Sequence, residues 1–279
     1  MKKILKKLLL ALVGENRLKL LFKDYLLSSR RDPVKLQFIL GILRNEIVDD
    51  MFSYPSIVNN GYLHIERAIS ILKDRNVPVE WIVDVGAAGG ETCILFSKAF
   101  PSAKIIGFEP IRETFNRLTG NVANYPNIQI HHHALGNKKG AEFINVMSRI
   151  TASSIFESAQ NSSLNGNHFF DQVEQERIEI DLLDNVLTQR GEIGLIKMDV
   201  QGYELEVLKG GAQTLRRTHF VLLEMQNHEI YNGAPKYYIL DAFLREAGFE
   251  LFEMIPSIRE NRQIKEFDAL YINLALGKS

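Results

Sequence analysis

Acidic residues and glycines stand directly after short apolar runs in this chain, where they could hold a small ligand. The segment VDVGAAGGETC (83–93) carries Asp84, Gly86 and Gly90 and leads from an apolar run into a helical pattern. Glycines at such a turn let a ligand approach the backbone, and the following helix offers unpaired N–H groups. Glu109 ends the next apolar run, where a carboxylate accepts hydrogen bonds from ribose hydroxyls. The pattern predicts a site for a nucleoside-containing ligand.

The residues around the glycines narrow the ligand class. A dinucleotide-binding turn reads Gly-x-Gly-x-x-Gly, but the third position counted from Gly86 is Ala88. Asp84 would lie unfavourably beside a pyrophosphate, whereas its charge suits a cationic ligand. A ribose, no phosphate and a positive centre together describe S-adenosylmethionine. A nicotinamide-dependent oxidoreductase is the alternative that the failed fingerprint disfavours.

Three consecutive histidines, His131, His132 and His133, resemble a metal site at first sight. We expect them on the third strand of a sheet, within residues 128–135. Alternate side chains of a strand point to opposite faces, so His132 faces away from the other two. The three imidazoles therefore cannot bind one ion together, and no cysteine or histidine at zinc-ligand spacing stands nearby. Their position at the end of a strand instead places them beside a ligand.

A group that could remove a proton from an acceptor hydroxyl is the next requirement for methyl transfer. Asp199 follows the apolar run LIKMDV, and we expect it to be the general base. His228, in LEMQNHEIY, is the second candidate because its ordinary pKa suits a base near neutral pH. Glu224 is interpreted as a satisfied buried acid. Alternatively, Asp199, Glu224 and His228 together hold a divalent metal ion that acidifies the hydroxyl.

The elements that must position these residues alternate between strands and helices. The apolar runs predict strands at 81–86, 103–110, 128–135, 194–200, 219–225, 249–255 and 268–276, and periodic segments predict helices at 62–76, 91–99, 112–125, 203–217 and 235–248. Such alternation predicts an α/β fold with a parallel sheet covered by helices on both faces. Only polar residues separate the last two strands, so the final strand should return antiparallel.

At this point the chain resembles a known family, the FkbM family of S-adenosylmethionine-dependent methyltransferases. The blocks that match, in order, are VDVGAAGGET, IGFEP, HHALGNKKG, LIKMDVQGYELEVLKGG and VLLEM. The resemblance covers about residues 62–275, and the block around Asp199 is the most specific. It implies a seven-stranded, Rossmann-like class I methyltransferase sheet with its last strand antiparallel. It also implies O-methylation, often of sugars or natural products.

The resemblance assigns residues to the cofactor site by motif. They are Asp84, Gly86 and Gly90 at the methionine end, Glu109 at the ribose, His133, Ala134 and Leu135 beside the adenine, and the adjoining Ala87, Gly89 and Pro110. The acceptor pocket is expected from residues 145–175, which mix phenylalanines with serine, asparagine and glutamine, and from the segment after the fifth strand. Aromatic faces and amides suit a sugar, so we expect a small-molecule or glycan acceptor.

Composition and charge limit the remaining partners. The formal net charge is −1, which predicts no nucleic-acid partner, and the single cysteine, Cys93, indicates a reducing cytoplasm. We expect two parts, a helical N-terminal extension (1–77) and the methyltransferase domain (78–279). The basic, amphipathic start of the extension packs on the domain or on a second subunit of a homo-oligomer, or rests on an anionic membrane surface. A non-catalytic S-adenosylmethionine-binding protein of the same fold stays open.

Overall fold

A computed structural model describes residues 62–159, 171–188, 191–228, 230–260 and 263–277. Its strands are β1 (Trp81–Val85), β2 (Lys104–Phe108), β3 (Ile128–His131), β4 (Ala134–Leu135), β5 (Gly140–Met147), β6 (Gln172–Asp181), β7 (Ile193–Met198), β8 (Thr218–Gln226), β9 (Phe249–Glu260) and β10 (Gln263–Asn273). Its helices are α1 (Leu63–Asp74), α2 (Glu91–Ala99), α3 (Arg112–Val122), α4 (Leu183–Val186), α5 (Glu204–Lys209), α6 (Ala212–Leu215) and α7 (Tyr237–Glu246).

The main sheet has seven strands in the order β3-β2-β1-β7-β8-β10-β9. β10 runs antiparallel to both of its neighbours, β8 and β9, while the other neighbouring pairs are parallel. This is the fold predicted from the sequence, with the final strand inserted antiparallel, and the prediction is confirmed. The carboxyl ends of β1, β2 and β7 therefore meet at one edge of the sheet, where ligands bind in open α/β folds.

The centre of the sheet explains why its strands read as continuous apolar runs. β1 and β7 are buried at every position, as central strands covered by helices on both faces must be. Val83 and Ile196 belong to the core on one face of the sheet, and Ile82 and Leu195 belong to the core on the other. The rigid centre of the molecule therefore lies directly beneath the candidate site.

Helix α1 shares this core. Its apolar side chains Ile65, Ala68 and Leu72 are buried in the same cluster as Ile82. Helix α1 therefore lies in the same compact unit as the sheet, and the domain boundary after residue 77 stays a prediction.

The predicted third strand, 128–135, is two strands in the structure. β3 ends at His131, and β4 pairs with β6 in a separate three-stranded sheet of order β4-β6-β5. The chain leaves the main sheet because β6 offers hydrogen-bond partners, and the pairing continues where Gly136 N–H donates to the Asp181 carbonyl at 2.9 Å. The single strand predicted for this segment is therefore wrong.

Two further predicted boundaries are wrong. The last two strands were predicted at 249–255 and 268–276, but β9 continues to Glu260 and β10 begins at Gln263, so most of the polar residues between them belong to the hairpin. The helix predicted over 203–217 is two short helices, α5 and α6, interrupted at Gly210 and Gly211. A side chain at Gly210 would collide with the carbonyl of Gly136, so the close approach of these two backbone segments requires glycine.

The predictions for the N-terminal segment lie outside the described residues. Its helical extension, its membrane contact and its part in a homo-oligomer stay predictions, as does the cytoplasmic location. Within the described part of the chain, no helix has the length and apolar character needed to span a bilayer.

Candidate active site

The glycine loop that comes after β1 packs closely against the backbone at the end of β7. Gly86 has a φ of 79° and Gly90 a φ of 88°, and Ala88 between them has a φ of 47°. A side chain at Gly86 would collide with the backbone carbonyl of Asp199. The loop is therefore pressed against the turn that carries the predicted base, and glycine is required there for both conformation and space.

Asp84 is fully buried beneath this loop and is paired with a residue that the sequence reasoning missed. Lys197 Nζ lies 3.1 Å from Asp84 Oδ1, across the parallel pair β1 and β7. Thr92 Oγ1 and Cys93 Sγ both donate to Asp84 Oδ2. Lys197 Nζ also donates to the Gly86 carbonyl at 3.0 Å. The Asp84 charge is thus compensated inside the protein, which contradicts the expectation that it awaits a cationic ligand.

Lys197 keeps its charge despite its burial. Burial alone would lower the pKa of Lys197, but the carboxylates of Asp84 and Asp199 outweigh burial and raise the pKa. A lysine inside the buried run LIKMDV was the available signal, since charged residues in central strands are rare unless they are paired. The pair anchors the glycine loop to the sheet.

Glu109 follows β2 at the same edge of the sheet. Its Oε2 accepts a hydrogen bond from Ala88 N–H at 3.1 Å, and its Oε1 accepts one from Ile111 N–H at 2.9 Å. Burial raises the pKa of Glu109 to about 7, although the two backbone donors oppose the change. Glu109 therefore joins the glycine loop to the end of β2 and retains lone pairs for a ligand.

A cleft of about 760 Å³, partly open to solvent, lies in front of these elements. Six of the predicted cofactor residues line it, namely Gly86, Glu109, Pro110, His133, Ala134 and Leu135. The other four, Asp84, Ala87, Gly89 and Gly90, are not among its lining residues. Asp199 and Gln201 line the same cleft. The structure therefore brings most of the predicted cofactor residues and the predicted base into one cavity.

His132 contacts a different neighbour from His131 and His133, as the alternation of side chains along a strand predicted, although the strand itself ends at His131. The rings of His131 and His133 both contact Phe108, with centroid distances of 5.1 and 5.4 Å. The His132 ring stacks on Phe115 instead, at 4.6 Å. Burial lowers the pKa of both His131 and His133, which favours neutral imidazoles.

Two polar atoms at the cleft have no hydrogen-bond partner among the described residues. They are His133 Nε2 and Thr114 Oγ1, and both are buried. Both residues line the cleft beside Glu109. Buried polar atoms are normally hydrogen-bonded, so this end of the cleft offers a donor or acceptor to a ligand.

Asp199 is held by a second residue that the sequence reasoning missed, Gln201. Gln201 Nε2 donates to Asp199 Oδ1 at 2.6 Å and to Glu224 Oε2 at 2.9 Å. Burial raises the pKa of Glu224 well above its usual value, and the nearby carboxylates of Glu266 and Asp199 raise it further. One uncharged amide thus separates two acidic side chains. Its lack of charge explains why sequence reasoning passed over it.

His228 does not join this group. It is exposed after β8, and its Nε2 lies 2.7 Å from Lys265 Nζ, while Asp199 lines a cleft that His228 does not. In the part of the chain that the structure describes, no three histidine, cysteine or acidic residues are arranged to bind one metal ion. The Gln201 amide fills the position between Asp199 and Glu224 that a shared ion would need.

The second sheet and the loop after β5 form the wall that faces the cofactor residues. Ile150, Thr151, Ser153 and Ile155 line the cleft from this loop, within the segment predicted to bind the acceptor. Phe156 packs against Tyr203, with ring centroids 5.7 Å apart, and is not among the lining residues. The predicted acceptor residues 160–170 lie outside the described residues.

Glu204 begins α5 directly behind the Asp199 turn and gives a testable pH dependence. Its Oε1 accepts from Val200 N–H at 3.0 Å, and burial raises its pKa from 4.5 to about 7. A raised carboxyl pKa stabilises the fold below pH 4.5, and this contribution is lost as the pH rises through 7. We expect the unfolding free energy of Glu204→Gln, relative to that of the wild type, to rise by up to about 3 kcal/mol as the pH increases from 4.5 to 8.

Urea denaturation at several pH values measures this difference. The exposed Glu113 supplies the control, because Glu113→Gln should follow the wild type at every pH. If the difference in unfolding free energy between wild type and Glu204→Gln stays constant between pH 4.5 and 8, burial does not raise the pKa of Glu204.

Comparison with known proteins agrees with this geometry. A family model described as the methyltransferase FkbM domain matches residues 84–251, more than half of the chain. The chain is 27% identical to the 2-O-methyltransferase NoeI of Sinorhizobium fredii over 202 residues, which are 70% of this chain and 81% of that protein. It is 31% identical to the hexuronic acid methyltransferase AglP of Haloferax volcanii over 147 residues, which are 51% of this chain and 54% of that protein.

The matched region begins at Asp84 and includes Glu109, Asp199 and the second sheet, so it spans the whole cleft. The seven-stranded sheet with its antiparallel β10 is the fold that the resemblance implied. The chain belongs to the FkbM family of S-adenosylmethionine-dependent methyltransferases.

Proposed function

We propose that this protein transfers a methyl group from S-adenosylmethionine to a hydroxyl oxygen of a sugar or glycan acceptor. The observation that carries the proposal is that Glu109, His133 and Asp199 all line one cleft. The names of the relatives, a 2-O-methyltransferase and a hexuronic acid methyltransferase, support a sugar hydroxyl as the acceptor.

The residues of the cleft fit the cofactor. Glu109 offers carboxylate lone pairs to the ribose hydroxyls of the cofactor. His133 Nε2 and Thr114 Oγ1 are buried, have no partner among the described residues, and offer hydrogen bonds to the adenine ring. The Asp84–Lys197 pair holds the Gly86 carbonyl and thereby the loop. S-adenosylmethionine supplies a methyl group on a sulfonium, which is already activated for transfer.

The protein's own contribution is alignment and removal of one proton. A sugar hydroxyl is a weak nucleophile, so a base within hydrogen-bond reach assists its attack. Asp199 accepts the hydroxyl proton in this proposal, and the loop after β5 excludes water from the acceptor side. Within our proposal His228 is the weaker candidate for this role, because it is exposed and contacts Lys265.

The proposal is tested by binding and by transfer. Calorimetry should show binding of S-adenosylmethionine and S-adenosylhomocysteine, and labelled methyl should pass to a sugar in a panel of methyl hexosides and methyl hexuronides. Mass spectrometry then places the label on an oxygen. Cofactor binding with no transfer to the panel or to a glycan extract would favour a non-catalytic binding protein, and binding of a nicotinamide cofactor instead would reject the proposal.

Glu109 gives a specific prediction for cofactor affinity. We expect Glu109→Gln to weaken S-adenosylmethionine binding about 5- to 150-fold, the range for about 1–3 kcal/mol of lost hydrogen bonding. Because the pKa of Glu109 is about 7, wild-type affinity should also fall as the pH drops from 8 to 6, whereas the variant should show no such fall. Calorimetry measures both, with Glu113→Gln as the exposed control. If wild type and Glu109→Gln bind S-adenosylmethionine equally well at every pH, Glu109 does not contact the cofactor.

A further inference from the structure

Gln201 occupies the centre of the site, on the turn that follows β7. Its backbone has a φ of 54°, and its carbonyl accepts a hydrogen bond from Ser154 Oγ at 2.7 Å. Its side-chain nitrogen binds Asp199 and Glu224, and the Tyr231 hydroxyl lies 2.7 Å from its Oε1. Every polar group of this side chain is therefore used inside the protein, although the residue lines the cleft.

The chemistry of the partners fixes the orientation of this amide. Each of the two N–H groups of Gln201 donates to one acid, one to Asp199 Oδ1 and the other to Glu224 Oε2. A carboxyl oxygen can accept such a bond whether the group is charged or neutral. The Tyr231 hydroxyl then donates to Oε1. With one N–H directed to each acid, the amide keeps the two carboxyl groups from approaching each other and fixes Asp199 Oδ1.

The same residue also joins the base to the acceptor side of the cleft. Ser154, which donates to the Gln201 carbonyl, belongs to the loop after β5 that lines the cleft. The Tyr231 hydroxyl lies 2.9 Å from the Ala152 carbonyl of that loop as well as near Gln201. Displacing Gln201 would therefore disturb the base and the acceptor wall together.

We propose that Gln201 is a positioning residue for methyl transfer, which holds Asp199 in place as the base and separates it from Glu224. This inference rests on the proposed function, because it assumes that Asp199 receives the acceptor proton. Gln201 itself exchanges no proton in the reaction. Its role is to fix the position of the Asp199 carboxyl group at the cleft.

Loss of the amide has a defined electrostatic consequence. The titratable groups around Asp199 come from five elements and one loop: Lys197, Glu204, Glu224, Glu266 with Asp268, His64 and Tyr231. Most are acidic and only Lys197 is a fixed cation. Without the Gln201 amide, Asp199 would lose the hydrogen bond that fixes its Oδ1, and nothing would hold it apart from Glu224.

Gln201→Leu tests the proposal, because leucine keeps an unbranched Cβ and removes the amide. We expect kcat to fall at least about 10-fold on the best sugar of the hexoside and hexuronide panel, with the affinity for S-adenosylmethionine within about twofold of wild type. In an Asp199→Asn background the same substitution should lower kcat no further, because the residue that Gln201 positions is already disabled. Gln213→Leu, the same substitution at an exposed position of α6, is the matched control and should keep the wild-type kcat.

A second measurement needs no acceptor. Carboxyl-carbon NMR of protein labelled at aspartate reports the surroundings of Asp199, whose signal is identified by its loss in Asp199→Asn. The chemical shift of this signal should change in both Gln201→Leu and Gln201→Glu, because both substitutions remove the amide that donates to Asp199 Oδ1. The near-isosteric Gln201→Glu also guards against a leucine variant that fails to fold.

The outcomes separate this inference from the proposed function. If Asp199→Asn leaves turnover unchanged, the base assignment fails and the inference fails with it. If Asp199→Asn slows turnover but the Gln201 variants keep the wild-type kcat and the wild-type Asp199 signal, only the positioning role is overturned. A kcat that falls equally far in the Asp199→Asn background would likewise overturn it, because Gln201 would then act only on structure.

Discussion

Replacing Asp199 by asparagine is expected to slow methyl transfer at least about 100-fold while S-adenosylmethionine still binds. Asparagine keeps the shape of the side chain and one oxygen for Gln201 Nε2, but it cannot accept the proton of an acceptor hydroxyl. Loss of a general base typically costs a factor of about 100 to 10,000 in rate. The affinity should change little, because the cofactor contacts proposed above come from Glu109 and His133.

Single-turnover transfer of labelled methyl, with calorimetry on the same preparations, measures both quantities. His228→Ala is the matched control, since His228 is exposed and should leave the rate within about threefold of wild type. A large loss in His228→Ala with none in Asp199→Asn would reverse the assignment. If a chelator abolishes turnover and Mg²⁺ or Mn²⁺ restores it, Asp199 acts as a metal ligand instead.

The main sheet could be predicted because its strands are buried on both faces. β1 and β7 have no exposed position, so each reads as an apolar run that ends where a polar residue enters the site. Asp199 and Glu109 were found for this reason, since each directly follows such a run. The antiparallel direction of β10 could be predicted because the sequence shows no helical pattern between the last two strands.

The second sheet was missed because most of its central strand faces solvent. β6 is exposed along much of its length, and only Ile178 and Ile180 are buried, with Ile178 in a small apolar cluster. A strand with two inward residues resembles a polar loop in sequence. The extension of β9 and β10 was missed for the same reason, because the residues beyond Ile255 are largely polar and neither predicted strand included them.

The site residues that were missed depend on pairing between distant segments. Asp84 and Lys197 face each other only because β1 and β7 are neighbours in a fixed register, and Gln201 reaches Glu224 from another strand. Sequence spacing carries no information on such contacts. Asp84 was therefore interpreted from its charge alone, as a partner for a cation outside the protein, whereas the structure supplies that cation as Lys197.

Breaking the buried ion pair is expected to have the largest effect on stability. Lys197→Met removes the cation and leaves Asp84, which is fully buried, without a charged partner. Removing one member of a buried pair typically costs about 3–5 kcal/mol, because the remaining charge is uncompensated. The variant also loses the hydrogen bond to the Gly86 carbonyl, so the affinity for S-adenosylmethionine should fall with it.

The double variant Asp84→Asn with Lys197→Met distinguishes this explanation from simple loss of packing. It removes both charges and keeps the approximate volume of both side chains, so most of the lost unfolding free energy should return. The hydrogen bond to the Gly86 carbonyl is still missing in this variant, so the cofactor affinity should stay low. Urea denaturation at pH 7 measures the unfolding free energies, and calorimetry measures the cofactor affinity. Lys98→Met, an exposed lysine on α2, is the control and should change stability by less than about 0.5 kcal/mol. If the double variant is less stable than Lys197→Met, Lys197 stabilises the fold through contacts other than its charge.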